Sequence, residues 1–352
     1  MRETVPIETY ESVDALGGEW DALVEQTRGL PWLRPGWVGA WWRAFGDGAL
    51  RIVATRDEGR LTGVLPLYER RGVLSSTTNW HTPEFGAVTA SGDASELMAV
   101  AVSLRPRRLA LSWLEAERPG FAECRRVASD RGYRLLVRTI ERSPYVGTGG
   151  DWERYEGGLS SKLLRELRRR RRRLESRGEL TLEVSSGEEG LAELLDQGFR
   201  IEAAGWKGER GMAIDSKPAT REFYREIASW AAGLGILRLA FLRLDGVPFA
   251  FDYAIEENGA HYLLKTGYDP EYRADAPGQL LRYLMIRRAF EEGLESYEFL
   301  GTDEPWKLEW ADTVRERRNV QAFAPTPAGR VDWAAFAFGR PLAKRVLGLL
   351  RR

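Results

Sequence analysis

The chain has 352 residues, enough for two medium domains, and its 43% hydrophobic and 11% aromatic content excludes an intrinsically disordered protein. Its 52 basic and 52 acidic residues cancel, which excludes a global field for nucleic acid, anionic membranes or acidic substrates, so electrostatic recognition has to be local. The single cysteine, Cys124, excludes an intrachain disulfide framework and a cysteine-cluster metal site, and the two histidines, His81 and His261, fall in no metal-ligand or nucleophile motif. No metal is expected. Met1 to Pro6 leads into no apolar stretch of signal-peptide length, and no 18-residue uncharged run occurs anywhere, so the expectation is a soluble cytoplasmic protein without an integral membrane segment.

In chain order, Trp37 to Phe45 predicts a helix whose Trp37, Trp41, Trp42 and Phe45 read as core rather than as a ligand cage. Ile52 to Thr55 and Leu61 to Tyr68 flank the turn-forming Asp57-Glu58-Gly59-Arg60 and predict a hairpin. Leu109 to Leu114 and Tyr133 to Ile140 read as strands around a helix from Phe121 to Arg131, with Cys124 on its apolar face. Ser143 to Gly150 has linker composition and sets the boundary between a first domain, 1–145, and a second, 146–325.

The second domain repeats the first. Ser160 to Arg177 predicts a helix closed by Gly178 as a left-handed cap, followed by helices at 191–204 and 221–234. A hairpin through Asp245-Gly246 continues through Asn258-Gly259 to a third strand, His261 to Thr266, then a helix from Gln279 to Glu292 and a buried strand from Tyr297 to Leu300. His261, with no partner in view, reads as structural. The remainder, 326–352, is an appended helical tail, and its Leu342 to Leu350 stretch, with Lys344, Arg345, Arg351 and Arg352, has the character of a membrane-surface contact but is too short and weak to be read as one. Hairpins feeding helices on a mixed sheet, without GxGxxG or GxxxxGK[ST], argue against a doubly wound nucleotide fold and for an α/β (α+β) duplication.

Three segments carry candidate chemistry. Lys265 to Leu281 runs from a strand through a polar loop into a helix that opens Pro277-Gly278, the composition of an anion cradle made of free backbone N–H groups and the helix dipole, or of an ordinary strand-to-helix loop. Tyr297 to Lys307 is a buried strand emptying into a polar loop where Asp303 and Lys307 can position an acceptor, or a solvated turn. Arg168 to Arg173 are six consecutive arginines in a segment, 160–179, with nine basic and three acidic residues; it reads as a docked helix with a basic outer face, or as a grip on RNA or polyphosphate.

At these residues the sequence resembles the CelD/BioF-like acetyltransferases of the GNAT superfamily, relatives of the Fem-type peptidyltransferases. The resemblance lies in Trp37-Val-Gly-Ala-Trp-Trp-Arg-Ala-Phe-Gly46, Leu61-Thr-Gly-Val-Leu-Pro-Leu67, Leu159 to Arg165 running into the arginine helix, Phe223-Tyr224, Gly267-Tyr268-Asp269, Pro277-Gly-Gln-Leu-Leu281 and Phe299-Leu-Gly301 with Lys307, in that order, to about Phe323. It implies tandem GNAT-like domains with mixed β-sheets flanked by helices. It also implies an acetyl-CoA or other acyl-CoA donor held between two parting strands, with Arg273, Ala276, Pro277, Gly278, Gln279 and Leu280 as the donor cradle. The usual Gln/Arg-x-x-Gly-x-Gly/Ala signature is absent from that cradle.

Asp269, Asp252 and Asp303 are the candidate bases, Tyr268 the candidate proton donor to the leaving thiolate, and Lys307 a charge clamp matching the Fem-type lysine. The implied acceptor is an amine or hydroxyl of a small molecule or glycan precursor of cell-envelope or exopolysaccharide assembly. Two alternatives stand beside acyl-CoA transfer: an aminoacyl-tRNA-dependent transferase gripping tRNA through Arg168 to Arg173, and a non-catalytic binding module in which one half, the first, has kept the fold without the chemistry.

Overall fold

The computed structural model describes residues 8–205, 211, 213–311 and 313–339. The readings at Met1 to Pro6 and Leu342 to Leu350, and the end of the 326–352 tail, lie outside them. The chain divides into two compact units, Met1–Glu141 with Glu316–Arg352, and Arg142–Arg315.

The elements run in order as β1 (Glu8–Tyr10), α1 (Gly17–Gln26), α2 (Pro35–Phe45), β2 (Ala49–Asp57), β3 (Arg60–Arg70), β4 (Val73–Ser76), β5 (Val88–Thr89), α3 (Ser95–Ser103), β6 (Arg108–Glu115), α4 (Phe121–Asp130) and β7 (Arg134–Gly147). The second unit continues with α5 (Trp152–Gly158), α6 (Ser161–Glu175), β8 (Leu180–Ser185), α7 (Leu191–Ala203), α8 (Pro218–Gly233), β9 (Leu237–Leu244), β10 (Val247–Glu257), β11 (Ala260–Tyr268), α9 (Pro277–Glu291), β12 (Ser296–Glu298) and α10 (Pro305–Leu308). Strand β13 (Thr313–Phe323) leads back to the first unit and α11 (Pro327–Ala334).

Within the first unit the strands are ordered β1-β2-β3-β4-β6-β13, with β4 and β6 parallel and the other neighbours antiparallel. Within the second, the end of β7 is followed by β12-β11-β10-β9-β8, and only β11 and β12 are parallel. Each unit is therefore a meander of three antiparallel strands, a crossover helix (α3 or α9) and a parallel fourth strand. This is an internal duplication. A parallel neighbour needs such a crossover, whereas antiparallel neighbours need only a tight turn.

The tight turns are the same in both copies. Glu58-Gly59, Arg71-Gly72, Asp245-Gly246 and Asn258-Gly259 all have positive φ at both central positions. That geometry matches the twist of paired strands and is open to glycine without a Cβ penalty.

Central strand β10 is buried along almost its whole length, as a strand covered on both faces must be. One face carries α6 and α9, whose Leu167, Leu174, Leu280, Leu281, Met285 and Ile286 share a core with Leu242, Leu263 and Tyr297. The other carries α7, packed so closely that a Cβ on Gly198 would lie 2.4 Å from the Phe251 ring. In the first unit, Val53, Leu65, Met98, Leu111, Val320 and the fully buried Cys124 form a separate core, and burial pushes the Cys124 thiol up to about 12.

Two local expectations are corrected. The Ser143 to Gly150 segment is strand as far as Gly147, because Tyr145, Val146 and Gly147 pair with β12 and Pro144, which has no N–H, serves the ladder only as an acceptor. Gly178 is not a left-handed cap: α6 ends at Glu175, and Gly178 gives room to the Asp245 carboxylate, which would lie 2.2 Å from a Cβ there.

Candidate functional site

Strands β11 and β12 pair only from Ala260–Ser296 to Tyr262–Glu298. Beyond that point β11 follows β10, reaching Tyr268 opposite Ala250, while β12 follows β7, with the Phe299 N–H donating to the Pro144 carbonyl at 3.1 Å. Each strand keeps its outer neighbour, so the two part and an opening forms between them.

A bulge lies in β11 where the opening begins. Tyr253 faces Lys265 and Ala254 faces Leu263, which leaves Leu264 opposite no residue of β10. The extra residue reverses the facing of the residues after it. Leu263 joins the core under α9. Lys265 instead lies over the Tyr224 ring of α8, 5.2 Å from its centroid, and Gly267 lies against α7, where a Cβ would come within 2.5 Å of Glu202 Cα. Thr266 and Tyr268 turn back to α9, the first toward Arg282 and the second beside Gly278.

The loop from β11 into α9 is held at every step. Asp269 caps a 3-10 turn over Pro270–Asp275 by accepting from the Glu271 N–H at 3.0 Å, and its own N–H donates to Phe249. Arg273 is exposed and contributes its carbonyl to the Ala276 N–H. Asp275 is buried and is ion-paired with Arg173 and Arg177 of the α6 end. Ala276 then takes a left-handed conformation, φ 44° and ψ 57°, and Pro277 starts the 15-residue α9. The Ala276 N–H donates to Arg273, Pro277 has no N–H, and the Gln279 and Leu280 N–H groups donate to the Ala276 carbonyl, so the Gly278 N–H and the helix dipole are what this helix start offers an anion. Gly278 borders Tyr268, and Gln279 is anchored by bonds to Glu309 and Trp310, with Leu280 buried behind it.

On the other side, Leu300 and Gly301 are both left-handed and turn the chain away from β12. Lys307, 5% exposed, donates to the carbonyls of Leu300 at 2.8 Å and Thr302 at 2.9 Å and pairs with Glu304 at 3.2 Å. Its ammonium therefore builds this turn. Asp303 is ion-paired with Arg142 at 2.9 Å. Asp252, read as a candidate base, is fully buried with both oxygens bonded to Arg282, at 2.8 and 3.2 Å, and serves as the counter-ion of that residue.

Sequence reasoning missed the partner of His261. Its Nδ1 is 2.8 Å from Glu256 Oε1, and Glu256 also takes Arg288 and Arg238. Burial alone raises the Glu256 carboxyl, but the bonds from His261 and Arg288 outweigh it and hold it at about 2. Burial lowers His261 below its ordinary value despite Glu256. The signal was present: counting back from the Asn258-Gly259 turn places Glu256 directly opposite His261.

The corresponding opening of the first unit is closed by its own chain. Beyond Ser75–Ala110, β4 and β6 part, but Phe85 bridges to Leu114 with its N–H donating to the Trp113 carbonyl at 2.8 Å. Beside it, buried Arg317 pairs with Glu84 at 2.8 Å and Glu115 at 3.0 Å. No left-handed residue followed by Pro-Gly starts α3, which begins after Ala94.

Two copies of a three-stranded meander, crossover helix and parallel fourth strand, with the fourth parting from the third, define the GNAT fold. Residues 161–308 match the model of the acetyltransferase (GNAT) domain family. Among solved structures, the chain is similar to the C-terminal DUF2156 domain of a putative lysylphosphatidylglycerol synthetase from Agrobacterium fabrum, with 13% identity, a TM-score of 0.61 and coverage of 92% of this chain and 96% of that one. It is also similar to FemX, at 14% identity and a TM-score of 0.60, covering 90% and 96%. A third similar structure is a conserved protein of unknown function from Bacteroides thetaiotaomicron, at 11% identity and a TM-score of 0.53, covering 90% and 100%. At such identities the likeness is one of fold. No curated protein sequence matches the chain. Among the described residues, no cluster of His, Cys, Asp and Glu fit for a metal ion and no helix long and apolar enough to cross a membrane occurs.

Proposed function

We propose that this chain is an acyl-CoA-dependent acyltransferase of the CelD/BioF-like kind, with its donor site in the second unit. The observation that carries the reading is the contrast between the two copies: the opening beyond Tyr262 and Glu298 leads to a helix start suited to an anion, and its counterpart in the first unit is filled by Phe85. The donor's pantetheine arm lies between β11 and β12, and its pyrophosphate meets Ala276, Gly278 and the first turn of α9. The bulged Leu264 N–H is the oxyanion donor to the thioester carbonyl.

A thioester is already activated, so the site has to hold an amine or hydroxyl near it and remove one proton. Asp269 and Asp303 are the candidate bases, because Asp252 is committed to Arg282. Tyr268, at the end of β11 beside Gly278, is the candidate donor to the departing thiolate. Lys307 acts by shaping the turn after β12. The acceptor is a small molecule or glycan precursor.

Calorimetric titration with acetyl-CoA and free CoA tests this reading, repeated on Gly278→Trp, whose side chain starts 3.6 Å from the Tyr268 ring. Micromolar binding that is lost in the variant is the expected result. Absence of binding to either ligand overturns it.

One observation favours an aminoacyl-tRNA-dependent reading as the second choice. Arg165, Arg168 and Arg172 form an exposed stripe along α6 and make no ion pair among the described residues, whereas Arg169, Arg170, Arg171 and Arg173 do. Beside the stripe, a groove of about 190 Å³ is lined by Leu164, Leu167, Arg168, Arg171, Leu280 and Tyr283. Salt-dependent tRNA binding, lost when the three arginines are neutralised, would support it.

A further inference from the structure

Arg282 of α9 is 1% exposed, and its guanidinium reaches three strands. It bonds both oxygens of Asp252 on β10, donates to Thr266 Oγ1 on β11 at 3.3 Å, and donates to the Tyr297 hydroxyl on β12. Thr266 lies four residues beyond Tyr262, the last residue of β11 that pairs with β12. The cation thus ties the parted stretch of β11, at Thr266, to Tyr297 of β12, which lies within the paired stretch opposite His261.

Its surroundings fix it further. The rings of Phe299 and Trp306 lie 5.7 Å from the guanidinium carbon. Tyr297 is held flat against His261, with centroids 4.6 Å apart and ring planes 15° apart, and His261 is held by Glu256.

Burying a guanidinium is costly, and apolar residues of similar volume commonly stabilise a core as well as a buried ion pair does. A pair of this kind has its best-attested use in fixing one geometry among several. Here the geometry is the separation of β11 and β12, because Asp252 locks the guanidinium to the β10–β11 side, opposite Thr266, while Tyr297 ties it to β12.

We propose that Arg282 is the positioning residue that sets the opening between β11 and β12, and thereby the placement of the donor's thioester; this rests on the donor-site reading above. The two hydroxyls are the working contacts. Removing Arg282 or Asp252 strands a buried charge, so the test spares both.

The Thr266→Val/Tyr297→Phe double variant cuts the guanidinium from β12 and from the β11 hydroxyl and keeps the ion pair. Hydrogen exchange of the full chain is measured with the unfolding midpoint and the acetyl-CoA Kd. Faster exchange confined to Leu264–Tyr268 and Phe299–Thr302, acetyl-CoA binding weakened tenfold or more, a near wild-type midpoint and wild-type behaviour of Thr266→Ser support the proposal. Unchanged exchange overturns it, whether or not the wild type binds acetyl-CoA. Faster exchange with unchanged acetyl-CoA affinity overturns the positioning role. Failure of the wild type itself to bind acetyl-CoA overturns the donor-site reading and the thioester placement with it, while exchange alone then decides whether Arg282 sets the opening.

Discussion

Glu256 and His261 face each other across the Asn258-Gly259 turn, with the histidine Nδ1 2.8 Å from the carboxylate. Both groups hold folded-state values below their ordinary ones, 4.5 for the carboxyl and 6.5 for the imidazole. In each case the unfolded chain binds the proton more readily, so stability is full above the ordinary value and falls as pH drops. The expected urea midpoint declines from about pH 6.5 as His261 contributes, and declines further from 4.5 toward 2 as Glu256 is protonated. A midpoint that rises on acidification from neutral pH toward the ordinary carboxyl value would mean that Glu256 outweighs burial at His261, and contradicts the lowered imidazole value.

Glycines around the opening differ in the side chains they tolerate. A Cβ at Gly267 would lie 2.5 Å from Glu202 Cα, so Gly267→Ala has to push β11 off α7 and is expected to cost about 1–3 kcal/mol. At Gly278 the nearest atom is 3.6 Å away, an ordinary contact, and Gly278→Ala is expected to change stability by no more than about 0.5 kcal/mol. Chemical denaturation of the two variants checks the contrast.

Asp275 is 3% exposed and has Arg173 and Arg177 as its ion-pair partners. The Arg173→Ala/Arg177→Ala double variant leaves a buried carboxylate uncompensated just before the α9 start, with an expected loss of about 3–5 kcal/mol. Adding Asp275→Asn should recover part of it. If the double variant melts like the wild type, the clamp does not organise this loop.

Phe85 fills the first unit's counterpart of the opening. Phe85→Ala is expected to cost about 3–5 kcal/mol through the cavity it leaves, and the folded protein should bind acetyl-CoA with unchanged affinity. Weakened binding per folded molecule would move the donor site to the first unit.

The arginine stripe supplies the last prediction. Replacing Arg165, Arg168 and Arg172 by Gln should leave stability within about 0.5 kcal/mol of wild type, since exposed charges without ion-pair partners contribute little to folding. Unchanged acetyl-CoA affinity in this variant keeps the donor reading and the polyanion reading separate.

Local chemistry was legible in the sequence. Asp245-Gly246 and Asn258-Gly259 demand positive φ and announce hairpins, and Pro277-Gly278 announces the start of α9, because each signal acts through its own backbone. The duplication emerged from two such strings in the same order. Linker composition at Ser143 to Gly150 misled, since pairing with the distant strand β12 keeps the segment extended through Gly147.

The tertiary structure alone decided the features that depend on which strands become neighbours. Leu264 bulges because β10 and β11 pair out of step there, and Phe85 closes one opening while the other stays clear because the chain between β4 and α3 folds back on β6. Asp252 looked like a base in the sequence and is the counter-ion of Arg282, 30 positions on. Composition and spacing carry no record of such pairings, because burial and charge compensation arise only when distant strands and helices close on one another.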